Sequence, residues 1–229
     1  MDYHPDGRVN RRKGSGVAMI DFSTAKKIFI PEGEVAVIAR GDEILWRKQK
    51  YKQELEYLES SGTQYIDTGE TINTATDEVE LVFQCKESAV YKWFFGEHDN
   101  NARFGLGTGD GVNKRNVAYG NTTYKVTDGQ IYGKKHVFLA NKNGVFLDGV
   151  KIGAYSSFSS TSTIYLFNLN LSGGNYSASA VIWRYKHTRN GTLAHDFIPV
   201  LDMNDRPCLF DRVSENFFYN KGVGEFTYK

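Results

Sequence analysis

Short runs of alternating apolar and polar residues follow one another from Tyr57 to the C-terminus, with turn residues between them. The clearest run, residues 77–84, has apolar Val79, Leu81 and Phe83 alternating with Glu78 and Glu80. A period of two places the two kinds of side chain on opposite faces of a β-strand. About a dozen such runs at near-even spacing, with no credible long helix among them, predict an all-β chain folded as a two-sheet antiparallel jelly-roll sandwich.

The pattern divides the chain into three parts. Residues 1–25 mix charged residues, glycine and serine without a period, which predicts a flexible N-terminal segment. Residues 26–56 predict a small β meander followed by a linker or short helix, with strands at 27–30, 34–38 and 43–46. Such a unit has little core of its own, so we expect it to serve attachment or oligomerisation. Residues 57–229 form the predicted jelly-roll domain.

Composition excludes several classes of protein. The formal net charge is +1, so no overall field attracts nucleic acid. No apolar run approaches the roughly 20 residues that span a bilayer, and the N-terminus lacks an apolar signal core. We therefore expect neither nucleic-acid binding nor membrane insertion. The two cysteines, Cys85 and Cys208, lie in apolar strand-like stretches and are expected to be buried free thiols.

Several segments carry a resemblance to a known family. Residues 57–69, YLESSGTQYIDTG, resemble the opening strand of laminin-G-like, concanavalin-like domains in phage and prophage structural proteins. Three further parts of the chain are similar to the same family. They are a central hairpin with an Asp-Gly turn (133–137 and 145–149), two late strands (179–185 and 195–200) and the closing segments 206–211 and 217–220, with Gly222 and Gly224. The resemblance implies a non-catalytic virion protein of the tail, baseplate or fibre, made in the bacterial cytoplasm.

The family's role implies host attachment through a cell-surface glycan or receptor, contact with other virion proteins, and a homo-oligomer, for which we expect a trimer. Sugar sites need an aromatic face for stacking and planar polar groups for the hydroxyls. Residues of these types cluster in three loop-rich stretches. The candidate glycan contacts are His98, Asp99, Asn100, Arg103, Asn116, Tyr119, Asn121, Tyr124, Tyr155 and Tyr176.

Two other functions remain open. A glycoside hydrolase would need two carboxylates flanking the scissile bond, and the nearest acids, around Glu97 and Asp99, do not repeat along a strand. A purely structural decoration protein would need no ligand site. No catalytic residue, metal ligand or cofactor is predicted, although calcium is possible at Asp99, Asp110 or Asp128, each of which turn formation also explains.

Overall fold

The computed structural model describes residues 37–40, 43–47, 49–87, 89–99, 102–109, 114–120, 122–127, 131–172 and 176–229. The chain forms two compact units, Met1–Lys50 and Tyr51–Lys229. Strands and the loops between them make up nearly all of the described part, which confirms the predicted fold class. None of the described helical residues belongs to a helix that is long and apolar enough to cross a bilayer.

The first unit contains an antiparallel hairpin. Its strands are β1 (Val37–Arg40) and β2 (Glu43–Arg47), with a bulge between Ile38 and Ala39. β2 coincides with the predicted strand at 43–46, whereas β1 overlaps the predicted strand at 34–38 only at Val37 and Ile38 and continues to Arg40. The predicted flexible segment 1–25 and the strand at 27–30 lie outside the described residues.

The second unit is a sandwich of two antiparallel sheets. In spatial order the six-stranded sheet contains β10 (Thr122–Thr127), β9 (Lys114–Gly120), β8 (Ala102–Thr108), β7 (Trp93–Asp99), β14 (Tyr165–Leu166) and β5 (Ile66–Asp67). The main path of the larger sheet is β13 (Val150–Gly153), β12 (Gly144–Leu147), β11 (Lys135–Asn141), β6 (Asp77–Cys85), β15 (Ser179–Arg189), β16 (Thr192–Leu201), β17 (Pro207–Asp211) and β18 (Phe217–Phe218). Three short strands join it at the side: β3 (Gln53–Glu54), β4 (Leu58–Ser61) and β19 (Thr227–Tyr228).

Aromatic side chains fill the space between the sheets. Phe138 of the larger sheet meets Phe95 of the smaller sheet edge to face, with ring centroids 4.9 Å apart, and Phe104 lies beside both. Along β6 every second residue is buried, as the alternation predicts. The sandwich is therefore held by apolar burial from one face of each sheet, the arrangement that a period of two requires.

Two local predictions are also confirmed. The Asp-Gly turn between β12 and β13 has φ of 51° at Asp148 and 78° at Gly149, the positive values that a tight hairpin turn needs. Cys85 and Cys208 are both buried thiols rather than partners in a disulfide.

Residues 51–56 belong to the second unit, although the sequence predicts a linker or short helix over them. The second unit begins at Tyr51, and β3 pairs with β16. Leu55 is buried, and its amide donates to the Pro199 carbonyl at 2.9 Å. Leu55 and Leu58 have helical spacing in the sequence, but both reach the core from an extended backbone because a sheet edge is available to pair with it.

Candidate functional site

A pocket of about 360 Å³ lies on the outer face of the larger sheet, where two strands separate. β15 pairs with β16 from Arg189 to Tyr185, and then with β4 from Ile182 to Ser179. β16 continues beside β3 instead. Val82 lines the pocket and alternates with two buried residues of β6, so the pocket faces away from the core. The fork between the strands thus creates a concave site on an otherwise regular sheet.

A β-bulge directs two successive side chains into this pocket. The register of β15 against β6 shifts between Ile182 and Arg184, which makes Trp183 an extra residue. Ile182 and Tyr185 are fully buried, whereas Trp183 and Arg184 both line the pocket. A bulge bends its strand and re-aims side chains, and bulges are common beside functional sites.

Pro199 is placed where a proline can sit within a strand. Its carbonyl accepts the amide of Leu55, so its nitrogen also faces the fork. A proline between two paired strands would cost a ladder hydrogen bond. At the fork β16 no longer lies beside β15. The absence of a backbone N–H on Pro199 therefore costs less stability there.

Two guanidinium groups are fixed side by side at the pocket. Arg184 donates from Nε and Nη2 to the two oxygens of Asp196 at 2.6 and 2.7 Å. Arg212 donates from Nε and Nη2 to Asp196 Oδ2 at 3.0 and 2.7 Å. Burial would raise the pKa of Asp196, but the bonds from both arginines hold that pKa below its usual value. Each planar fork keeps further N–H donors, so the pair presents fixed donors to the pocket.

A buried carboxylate supports this pair from below. Asp211 is fully buried, and its Oδ1 accepts the Asp196 amide at 2.9 Å. The same carboxylate receives bonds from Val213 and Ser214, which hold the turn that begins at Arg212. The Asp211 carboxylate therefore fixes the positions of both Asp196 and Arg212, and this preorganises the polar side of the pocket.

The aromatic side of the pocket is the half-buried indole of Trp183. The Lys135 ammonium lies 4.4 Å from the ring centroid, and the Tyr57 ring packs edge to face with the indole, with ring centroids 5.6 Å apart. The indole nitrogen is shielded from solvent and has no hydrogen-bond partner within the described ranges, which is unusual for a native structure. Lys135 is exposed and its stem is flexible, so a ligand ring can replace its ammonium over the indole.

A second pocket, of about 280 Å³, adjoins the first. Both pockets are lined by Arg184. The second is otherwise lined by polar residues of β6 and β15, with Leu193 at its edge. In the wall of the second pocket Lys186 forms a salt bridge of 3.1 Å with Glu80, the residue directly opposite it on β6.

The predicted glycan contacts lie on or near the smaller sheet, away from both pockets. His98 and Asp99 end β7 and Arg103 begins β8; Arg103 Nε donates to His98 Nε2 at 3.3 Å, and Asp99 accepts the amide and hydroxyl of Thr161 at 2.8 and 2.6 Å. The other candidates divide by their surroundings: Asn116, Tyr124 and Tyr176 are half-buried, Tyr155 is exposed, and Asn100 and Asn121 lie outside the described residues, as do Asp110 and Asp128.

Tyr119 is a predicted stacking face that the structure contradicts. Tyr119 is 1% exposed and packs edge to face on Phe158 at 5.5 Å. Burial raises its pKa to about 12, and its hydroxyl donates to the Asn141 carbonyl. Tyr124 donates to the Ala154 carbonyl, and Tyr176 packs on the cluster around Trp93. In β9 and β10 the tyrosines point inward because a sandwich core of this size is filled with large aromatics.

The pocket residues escaped the sequence analysis, although two signals mark them. In the run from Ala180 to Tyr185, Ile182 and Tyr185 are both core residues but are three apart, which breaks the period of two and indicates a bulge. Pro199 within an apolar strand indicates a position where one side of the strand needs no N–H donor. The fork itself depends on the pairing of β3 and β4, which no local pattern reveals.

Glu97, which precedes the predicted glycan contacts His98 and Asp99, is a carboxyl group with a strongly raised pKa. It lies on the inner face of β7, fully buried, and Ser160 Oγ donates to its Oε2 at 2.5 Å. Its other oxygen has no hydrogen-bond partner in the described part of the chain. Burial raises the pKa of Glu97 to about 7, with a further contribution from Asp99. Because it faces the core, Glu97 is out of reach of a polymeric substrate.

Glu97→Gln should remove a pH dependence of stability. The folded pKa of about 7 lies above the unfolded value of 4.5, so this group's contribution is complete below about pH 4.5 and is lost as pH rises through 7. The loss is on the order of 3 kcal/mol. We expect the variant to match the wild type at pH 4 and to exceed it at pH 8 in urea denaturation. Exposed Glu225→Gln is the control, and parallel profiles for Glu97→Gln and the wild type would contradict the prediction.

Comparison with known proteins shows the fold alone. No protein-family model matches the chain, and no curated protein sequence matches it. Among solved structures, a crystal structure of a proposed carbohydrate-binding protein from Bacteroides ovatus ATCC 8483 is similar, with a TM-score of 0.52 and 13% sequence identity. The match covers 77% of this chain and 60% of the other, so the chain spans less than two thirds of that protein's length.

Proposed function

We propose that this protein binds carbohydrate in the pocket at the fork of the larger sheet. The observation that carries the proposal is the bulge, which places Trp183 and Arg184 together in a concave site. The indole supplies a stacking face, and the paired guanidinium groups supply planar donors. Similarity to the fold of the Bacteroides protein supports the same class of ligand.

A glycan array probed with the purified full chain tests this proposal. We expect specific binding to a small set of related glycans that free sugar competes away. An absence of binding by a protein that is folded by circular dichroism would overturn it and favour a decoration protein without a ligand site.

We further propose that the protein works as part of a phage or prophage particle and contacts a host glycan or receptor there. The support is the resemblance of residues 57–69, 206–211 and 217–220 to phage structural proteins. Mass spectrometry of purified particles from a producing strain should detect the chain at a stoichiometry set by its oligomer. Its detection only in the cell lysate would argue against a virion role.

The N-terminal unit is our candidate for attachment to the particle and for homo-oligomerisation, with a trimer as the expected state. Deleting residues 1–47 should leave a folded domain of lower oligomeric order, as measured by light scattering. If the truncated protein keeps the full oligomer mass, the assignment of oligomerisation to this unit is wrong.

A hydrolase is the second candidate, because Glu78 and Glu80 both line the second pocket. Two residues apart on one strand, they share a face, as paired catalytic carboxylates must. We nevertheless favour binding without catalysis, since Lys186 forms a salt bridge with Glu80. Release of reducing ends from a bound glycan, and its loss in Glu78→Gln, would establish the hydrolase instead.

A further inference from the structure

We propose that the two pockets form one continuous groove that binds a linear, uncharged oligosaccharide along β6 and β15, with Arg184 as the contact shared by two sugar subsites. This inference rests on the proposed carbohydrate binding and specifies its ligand. It makes the length and the charge of the glycan the properties that the site selects.

Continuity of the groove follows from the register of the two strands. Directly paired residues repeat along one face of the sheet, always pointing away from the core: Arg184 with Val82, Lys186 with Glu80, and Thr188 with Glu78. These rows belong to the first pocket, the second pocket, or both. From Trp183 to Thr188 the groove follows β15 for roughly 17 Å at about 3.3 Å per residue, which is longer than one sugar ring.

The two ends of the groove have different chemistry. The Trp183 end combines the indole with apolar Leu55 and Ile198, which suits a sugar ring that stacks. The other end presents the Lys186–Glu80 pair and the Thr188 hydroxyl, which suit hydrogen bonds to sugar hydroxyls. Arg184 lies between them, and the carboxylates of Asp196, Glu80 and Glu54 contribute to its raised pKa.

The charges of the groove argue for an uncharged ligand. Cationic and anionic side chains are equal in number along its walls: Lys135, Arg184, Lys186 and Arg212 against Glu54, Glu56, Glu78 and Glu80. Asp196 adds a further negative charge behind the two arginines. An acidic glycan would lie beside carboxylates and gain no net attraction, whereas hydroxyl groups can donate to the acids and accept from the cations.

The test is isothermal titration of the full chain with neutral oligosaccharides of one to six units. The probes are oligomers of glucose, mannose, galactose and N-acetylglucosamine, with oligogalacturonates of the same lengths as acidic counterparts. We expect at least one neutral series to bind, with affinity rising about tenfold or more from one unit to a short oligomer and then levelling off. Galacturonates should bind more weakly at every length.

Lys186→Ala separates the two subsites. It should weaken binding of the short oligomer about tenfold and leave binding of the single sugar unchanged, whereas exposed Lys221→Ala should change neither. Equal affinity for single sugars and oligomers, or tighter binding of galacturonates, would overturn the groove while leaving carbohydrate binding intact. If no sugar of any length binds, the proposed function itself fails and the groove fails with it.

Discussion

Trp183→Ala should reduce the affinity for the bound glycan by about 30-fold or more. Truncating an aromatic anchor at the centre of a binding site typically costs at least ~2 kcal/mol, which is a factor of about 30 at room temperature. The side chain is half-buried on the outer face and lies outside the main core, so the fold should persist. Isothermal titration measures the affinity, and thermal unfolding followed by circular dichroism shows that the variant is folded.

Tyr155→Ala is the matched control, because Tyr155 is the exposed aromatic among the contacts predicted from the sequence. It should leave the affinity within about twofold of the wild type. The opposite pattern, with binding lost in Tyr155→Ala and kept in Trp183→Ala, would contradict the pocket proposal. It would show instead that the glycan binds at the loops of the smaller sheet. Arg103→Ala would then be the next variant, since Arg103 is also exposed there.

The sandwich could be predicted because its cause is local. Alternation in β6 follows directly from one buried and one open face, and the Asp148-Gly149 turn follows from the φ values that only a few residues tolerate. Each such signal lies within a few consecutive residues. The outline of the fold therefore needs no knowledge of which strands meet.

The site could not be predicted in the same way because its cause is a set of distant pairings. Trp183 reads as one more apolar residue of a core strand, and its exposure depends on the bulge against β6 and on the departure of β15 from β16. Tyr119 reads as an exposed ring in a polar stretch, but tertiary packing turns it inward. Aromatic residue type is thus a weak guide to sugar contacts in a sandwich that also builds its core from aromatics.

Asp211→Asn should destabilise the protein by about 3–5 kcal/mol, the usual cost of removing one partner from a buried charged network. The carboxylate is fully buried and acts as an acceptor only. Its contacts are the amides of Asp196, Val213 and Ser214 at 2.9, 3.1 and 3.2 Å, the Ser214 hydroxyl at 2.6 Å and His195 Nδ1 at 2.7 Å. An amide group in its place would turn two N–H donors towards some of these donors and leave them unsatisfied.

The pH dependence distinguishes this network from simple loss of packing. Burial would raise the pKa of Asp211, but the hydrogen bonds it accepts hold that pKa below 3.8. A lowered folded pKa contributes stability that is present above about pH 4 and is lost as pH falls through the folded value. The gap between wild type and Asp211→Asn in urea denaturation should therefore be full at pH 7 and shrink below pH 4. Asp205→Asn, which removes an exposed salt bridge to Lys52 and keeps a side chain that tolerates the φ of 62° at this position, should cost no more than about 1 kcal/mol at either pH. A gap for Asp211→Asn that stays constant from pH 7 to pH 3 would show that volume and shape, rather than the charge of this carboxylate, hold the turn beneath Arg212.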